Sequence, residues 1–248
     1  KFVVSYQDNG NLDYGTVIVG TVSGTAISFG SKYIFNSGST NYTSTSFDPN
    51  TTGMFVVAYR DSGNSNYGTA IVGTVSGTTI SFGSEYTFSA STTTLTTVSF
   101  DPNTANKFVV AYGAGNGSNG KAIVGTVSGT TISFGSEYAS SSGSAYHISA
   151  SFDPNTAGKF VVSYRDAGNL NYGTTVAGTI SGTTISFGSA VVFNSGITSF
   201  TSTSFDPNTA NKFVVSYQDN GNSNYGKVVV GTVSGTAISF GSEITLNS

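Results

Sequence analysis

The chain has 248 residues, of which 37% are apolar and only 8% charged, with 32 Gly and a formal net charge of −3. Its nine Lys and Arg are scattered with no basic run, so the electrostatic footprint of a nucleic-acid binder is missing. Zero Cys excludes disulfides, thiolate metal sites and a Cys nucleophile, and no apolar stretch approaches the ~20 residues that span a bilayer as a helix.

Low charge and abundant Gly would permit disorder, but 18 Phe and 14 Tyr at fixed phase with Val and Ile can build a packed β core. The chain opens on Phe2-Val-Val-Ser-Tyr6, and this run recurs at Phe55, Phe108, Phe160 and Phe213. The spacings are 53, 53, 52 and 53 residues, which marks a closed or stacked repeat architecture. A single repeat domain over 1–248 follows, with units at about 1–37 (partial), 38–90, 91–142, 143–195 and 196–248.

The second unit shows the pattern in full. A Ser/Thr-rich strand over 42–48 ends in the turn Asp48-Pro49-Asn50, where Pro presets φ and the flanking side chains bond their own backbone. All four prolines of the chain sit in this motif. Phe55–Tyr59 reads as a buried second strand, followed by the polar loop Arg60–Gly68. A third strand covers about 69–75, Ser76-Gly77 makes a two-residue hairpin, and a fourth strand runs from about Thr78 towards Phe88. No helix signal occurs.

Four antiparallel strands per repeat, copied about five times, predict an all-β fold: a β-propeller of about five four-stranded blades. Small Ser and Thr side chains suit a crowded strand beside a propeller axis. Gly20, Gly73, Gly125, Gly178 and Gly231, constant in the third strand, suit close contact between blades. The run Ser-Phe-Asp-Pro-Asn-x5-Phe-Val-Val-(Ser/Ala)-Tyr resembles the inner hairpin of WD40-type blades, although the Gly-His and Trp-Asp signatures are missing. The whole unit resembles tandem propeller repeats of uncharacterised marine phage and bacterial surface proteins. That resemblance implies a virion or cell-surface, extracellular location and carries no assigned activity.

Strands two to four occur five times but the Ser/Thr-rich strand only four times, so one blade lacks it. Three readings account for this: flanking residues outside this sequence supply it, the strand is a dispensable outer edge, or a neighbouring subunit donates it.

The loop after the second strand is the candidate ligand site. Its Asn and Tyr residues (Asn11, Tyr14, Asn64, Tyr67, Asn169, Tyr172, Asn222 and Tyr225) suit carbohydrate, with amides bonding hydroxyls and ring faces packing on sugar C–H groups. The competing reading is a hairpin connection held by Asx residues and Gly. The third copy, Gly113–Gly120, lacks both Asp and Tyr. Calcium is disfavoured because most copies carry one Asp and no Glu. Glu85, Glu137 and Glu243 share one repeat position and read as decoration of a solvated strand. The single His147 aligns with Tyr42, Leu95 and Phe200 and reads as a packing group, which leaves no Ser-His-Asp triad.

These residues point to a non-catalytic structural or adhesive module of a virion, fibre or cell surface, without cofactor or metal. It would act by self-association or by attachment to a host-surface glycan, without membrane insertion. The alternative is a multivalent lectin that uses the Asn/Tyr loops.

Overall fold

The computed structural model describes residues 1–115 and 119–247, and among these every regular element is a strand. Asn116, in the short third loop, lies outside the described residues. The first sheet group pairs β1 (Phe2–Asp8) with β2 (Tyr14–Ser23), and β2 with the first part of β3 (Ala26–Phe47). The rest of β3 leads the next group, pairing with β4 (Met54–Asp61), which pairs with β5 (Tyr67–Ser76), which in turn pairs with β6 (Thr79–Phe100). The third group repeats this with β6, β7 (Lys107–Ala114), β8 (Asn119–Ser128) and β9 (Thr131–Phe152). The fourth holds β9, β10 (Lys159–Asp166), β11 (Tyr172–Ser181), β12 (Thr184–Phe187) and the start of β13 (Val191–Phe205). The fifth holds β13, β14 (Lys212–Asp219), β15 (Tyr225–Ser234), β16 (Ala237–Phe240) and β17 (Ile244–Thr245).

The sequence suggests separate fourth and first strands, whereas β3, β6 and β9 each run 22 residues and serve two groups in turn. No Pro interrupts them between the two halves, and the Ser-Gly pairs Ser37-Gly38 and Ser142-Gly143 stay within the strand, which only twists and changes partner. The Ser/Thr-rich halves lie against one another. Val98 N donates to Ser44 Oγ at 3.0 Å, Phe100 N to Ser46 Oγ at 3.3 Å, and Thr203 N to Ser149 Oγ at 3.0 Å. Hydroxyls therefore satisfy backbone groups where neighbouring strands meet too closely for larger side chains.

The core is divided among the boundaries between groups. At the first boundary Val17, Val19 and Phe35 pack on Phe55, Val57, Tyr59 and Ile80. One ring pair recurs there and at the second and fourth boundaries: Phe35–Tyr59, Phe88–Tyr112 and Phe193–Tyr217, with centroids 5.1, 5.0 and 5.0 Å apart. The constant third-strand glycines serve a purpose different from blade-to-blade contact. A Cβ on Gly73 would stand 2.2 Å from Phe55 Cζ, its partner across β4 and β5, so the glycine makes room for a ring of its own sheet.

The Asp-Pro-Asn turns are also staples between groups. Asp48 Oδ1 accepts from Asn50 N at 2.8 Å, while its Oδ2 accepts from Asn106 N of the next repeat at 2.9 Å. Asp101 does the same with Asn103 N and Gly158 N, at 2.9 and 2.8 Å. Among the described residues β1 pairs with β2 alone, and no strand pairing joins the first group to the fifth. No helix of the described residues is long and apolar enough to cross a membrane.

Candidate functional site

The register assigns each part of the repeat to one of two ends. Phe47 pairs with Phe55 and Ser76 with Thr79, so the Asp-Pro-Asn turns and Ser-Gly hairpins share one end. Asn41 pairs with Arg60 and Tyr67 with Thr92, so the polar loops and the strand crossovers share the other. Repeat-to-repeat variation follows this division. Ser-Phe-Asp-Pro-Asn (46–50) is identical in four copies and Ile-Ser-Phe-Gly-Ser (80–84) in five. At the opposite end, Asn41 becomes Thr94, Tyr146 and Ser199, and Thr69 becomes Lys121, Thr174 and Lys227. The first end is the more constant, although Met54 stands where later copies have Lys107, Lys159 and Lys212, and the second is the more diversified.

The candidate loops form at the diversified end. Asn64 N and Gly63 N donate to Asp61 Oδ1, and Tyr67 N donates to Asn64 O at 3.0 Å. Ser65 and Asn66 take φ of 57° and 62°, the left-handed pair of a type I′ turn. The same geometry places Asn11 and Tyr14, Asn169 and Tyr172, and Asn222 and Tyr225 at either end of a tight turn. In each pair the Asn carbonyl accepts from the Tyr amide, so the loop signature has a backbone explanation. Asn222 also lines a pocket, described below.

Glu85, Glu137 and Glu243 do more than decorate a strand. Tyr59 OH donates to Glu85 Oε1 at 2.7 Å, Tyr112 OH to Glu137 Oε1 at 2.5 Å, and Tyr217 OH to Glu243 Oε2 at 2.7 Å. Burial, then the neighbouring carboxylate, pushes each of these phenols far above its ordinary range. In the last repeat Lys227 joins in, 2.9 Å from Asp219 Oδ2 and 2.5 Å from Glu243 Oε1. Hydrogen bonds to Glu243 and then Asp219 raise the Lys227 pKa, and the Lys227 hydrogen bond lowers that of Glu243.

Beside this cluster is a pocket of about 360 Å³ at the seam between the fourth and fifth groups. Phe193, Asn194 and Gly196 line one wall, and Asp219, Asn222, Lys227 and Glu243 the other. It offers an aromatic edge, amide donors and acceptors, an ammonium and carboxylates within one open site. That donor set matches a polyhydroxylated ligand better than an apolar one.

A second cavity, about 350 Å³, lies where the Ser/Thr-rich strands converge. Tyr42, Leu95, His147 and Phe200 line it with Thr43, Thr96, Ile148 and Thr201. Each of the first four has a left-handed backbone, with φ of 52°, 52°, 50° and 52°. Such a conformation costs roughly 1–2 kcal/mol per non-glycine residue, and strain of this kind gathers at ligand clamps and active sites. It arises where the ladder shifts register, between Asn41 and Ser44 in the second group. Thr96 Oγ1 donates to Tyr42 O and Thr201 Oγ1 to His147 O, which holds the shift in place. His147 is therefore one of a ring of cavity-lining residues. The signal was present in the sequence: these positions differ in every repeat, whereas Ser-Phe-Asp-Pro-Asn, four residues on, does not. Among the described residues no cluster of His, Cys, Asp and Glu could hold a metal ion.

No model of a protein family and no curated protein matches the sequence. Solved structures do. A mutant of the Aleuria aurantia lectin in complex with Fucalpha1-6GlcNAc matches over 99% of this chain and 74% of its own, with 12% identity and a TM-score of 0.62. A fungal lectin described as a six-bladed β-propeller with a fucose recognition mode, also the Aleuria aurantia protein, matches over 99% and 78%, with 11% identity and a TM-score of 0.58. An exo-beta-1,3-galactanase from Phanerochaete chrysosporium matches over 83% of this chain and 50% of its own, with 8% identity and a TM-score of 0.53. At such identities the likeness defines the fold alone: an all-β repeat protein with the architecture of β-propellers.

Proposed function

We propose that this chain is a non-catalytic carbohydrate-binding protein built as about five propeller blades. The observation that carries the reading is the seam pocket of Asn194, Asp219, Asn222, Lys227 and Glu243, on the end where the repeats diversify. Sugar recognition needs hydroxyl partners of both polarities, and this pocket supplies carboxylate acceptors with amide and ammonium donors. The fucose-binding propellers among its structural neighbours lend support at the level of fold.

The absence of catalysis is part of the proposal. The Asp-Pro-Asn carboxylates are engaged in turns and staples, and the loop carboxylates in Asx caps. In the seam pocket the two carboxylates, Asp219 and Glu243, are both paired with Lys227, which disfavours their use as acid and base. The setting we propose is extracellular, on a virion, fibre or cell surface, with a host glycan as partner.

A glycan microarray tests this. The chain should be retained by a defined set of glycans, fucosylated ones being the first probe, and Asn222→Ala with Glu243→Gln should weaken retention at least ~10-fold. A folded chain that retains no glycan would contradict the proposal.

A further inference from the structure

We propose that the axial cavity is a second carbohydrate subsite and that its ligand is an acidic pyranoside, a hexuronate residue being the simplest case. This deepens the carbohydrate reading and rests on it, but it uses a different cavity and different residues.

The aromatic component comes first. Tyr42, His147 and Phe200 present three rings to one cavity, and Phe200 is 71% exposed. The His147 and Phe200 rings lie 5.0 Å apart and are inclined by 59°, so together they form a cleft rather than a flat stack. Rings set this way accept the C–H face of a pyranose. Backbone strain keeps them there: four bulky residues hold left-handed φ that only their surroundings enforce.

The polar component is also in place. Thr96 and Thr201 spend their hydroxyl protons on backbone carbonyls, which leaves their oxygens as acceptors for sugar hydroxyls. The cavity of about 350 Å³ has room for one sugar residue.

Charge then selects among sugars. The chain has only two arginines, Arg60 and Arg165, at equivalent positions of two repeats. Arg60 lies 4.8 Å over the ring of Tyr42, which lines the cavity, and Arg165 lies 4.7 Å over Tyr146, the chain neighbour of the cavity-lining His147. Among the described residues neither guanidinium is in an ion pair. Arg165 Nε is buried without a hydrogen-bond partner. Two guanidiniums free of ion pairs beside the cavity create a positive potential there, which favours an anionic ligand such as a carboxylate. A neutral sugar gains nothing from that potential.

His147 is the only histidine, so its imidazole C–H signals in an NMR spectrum report this cavity without ambiguity. The probes are methyl β-D-glucuronide and methyl β-D-glucoside. The glucuronide should shift the His147 signals saturably and bind at least ~10-fold more tightly than the glucoside. Arg60→Gln with Arg165→Gln should erase that preference, whereas Phe200→Ala should weaken both ligands. Unchanged thermal unfolding and amide spectra establish that the variants fold. Absence of a saturable shift up to ~20 mM glucuronide, equal affinity for the two glycosides, or a preference that survives the arginine substitutions would each overturn the proposal. Retention of neutral glycans on the array without a His147 shift would sink the axial subsite and leave the seam reading standing.

Discussion

Tyr164 lies directly across from Thr174 on β10 and β11, and both hydroxyls are buried without a hydrogen-bond partner. The equivalent tyrosines Tyr59, Tyr112 and Tyr217 each donate to a glutamate, but Ala190 stands where the fourth repeat would carry it. Ser140 likewise replaces the phenylalanine that packs on the ring at other seams. Ala190→Glu should therefore raise stability by about 1 kcal/mol by giving the phenol an acceptor. Tyr164→Phe should be neutral or slightly stabilising, whereas Tyr59→Phe should cost about 1 kcal/mol. Urea midpoints at constant slope check all three.

Gly73→Ala places a methyl group against the fully buried Phe55 ring, with no flexible end to yield. We expect a loss of about 3 kcal/mol, at the upper end for overpacking. Gly77 sits in open space with φ of +63°, so Gly77→Asn should cost less than about 1 kcal/mol. Equal losses at the two sites would contradict the assignment of Gly73 to ring packing.

Asp101 is wholly buried and accepts from Asn103 N and Gly158 N. Asp101→Ala strands two backbone donors and should cost about 2–4 kcal/mol by thermal or chemical unfolding. Asp206, in the last copy of the turn, is more exposed and has a backbone bond to Asn208 N at 2.8 Å. Asp206→Ala should be the milder change.

Burial, and then Arg165, lowers the His147 pKa below its ordinary 6.5. The unfolded chain takes up this proton first as pH falls, so between the two values the unfolded state holds more protons and stability rises with pH. The contribution is complete above about pH 6.5 and is lost as pH drops through that value to the folded one. An NMR titration should place the midpoint below 6.5, and Arg165→Gln should move it back up. A midpoint above 6.5 would contradict this environment.

The period and the hairpins were legible because Phe55–Tyr59 and Asp48-Pro49-Asn50 impose local structure wherever they occur. The fusion of fourth and first strands was hidden, since Asn36-Ser37-Gly38, where the strand changes partner, has the composition of a turn but stays within β3. Gly73 was legible as a close approach but not its partner, because the Phe55 ring meets it through register, which composition does not encode. The candidate loops were read for their Asn and Tyr side chains, while the type I′ turn uses their backbone. The axial cavity escaped for the opposite reason. Tyr42, Leu95, His147 and Phe200 share no chemistry, so they looked like interchangeable packing until the fold brought them together.

The central claim is that the diversified end of the molecule binds glycan. Amide chemical-shift mapping of the folded chain, with a glycan retained on the array, tests it most directly. The account predicts shifts at the seam residues Asn194, Asp219, Asn222 and Lys227, with the Asp-Pro-Asn turns silent. Shifts confined to those turns, or none at saturating glycan, would contradict it.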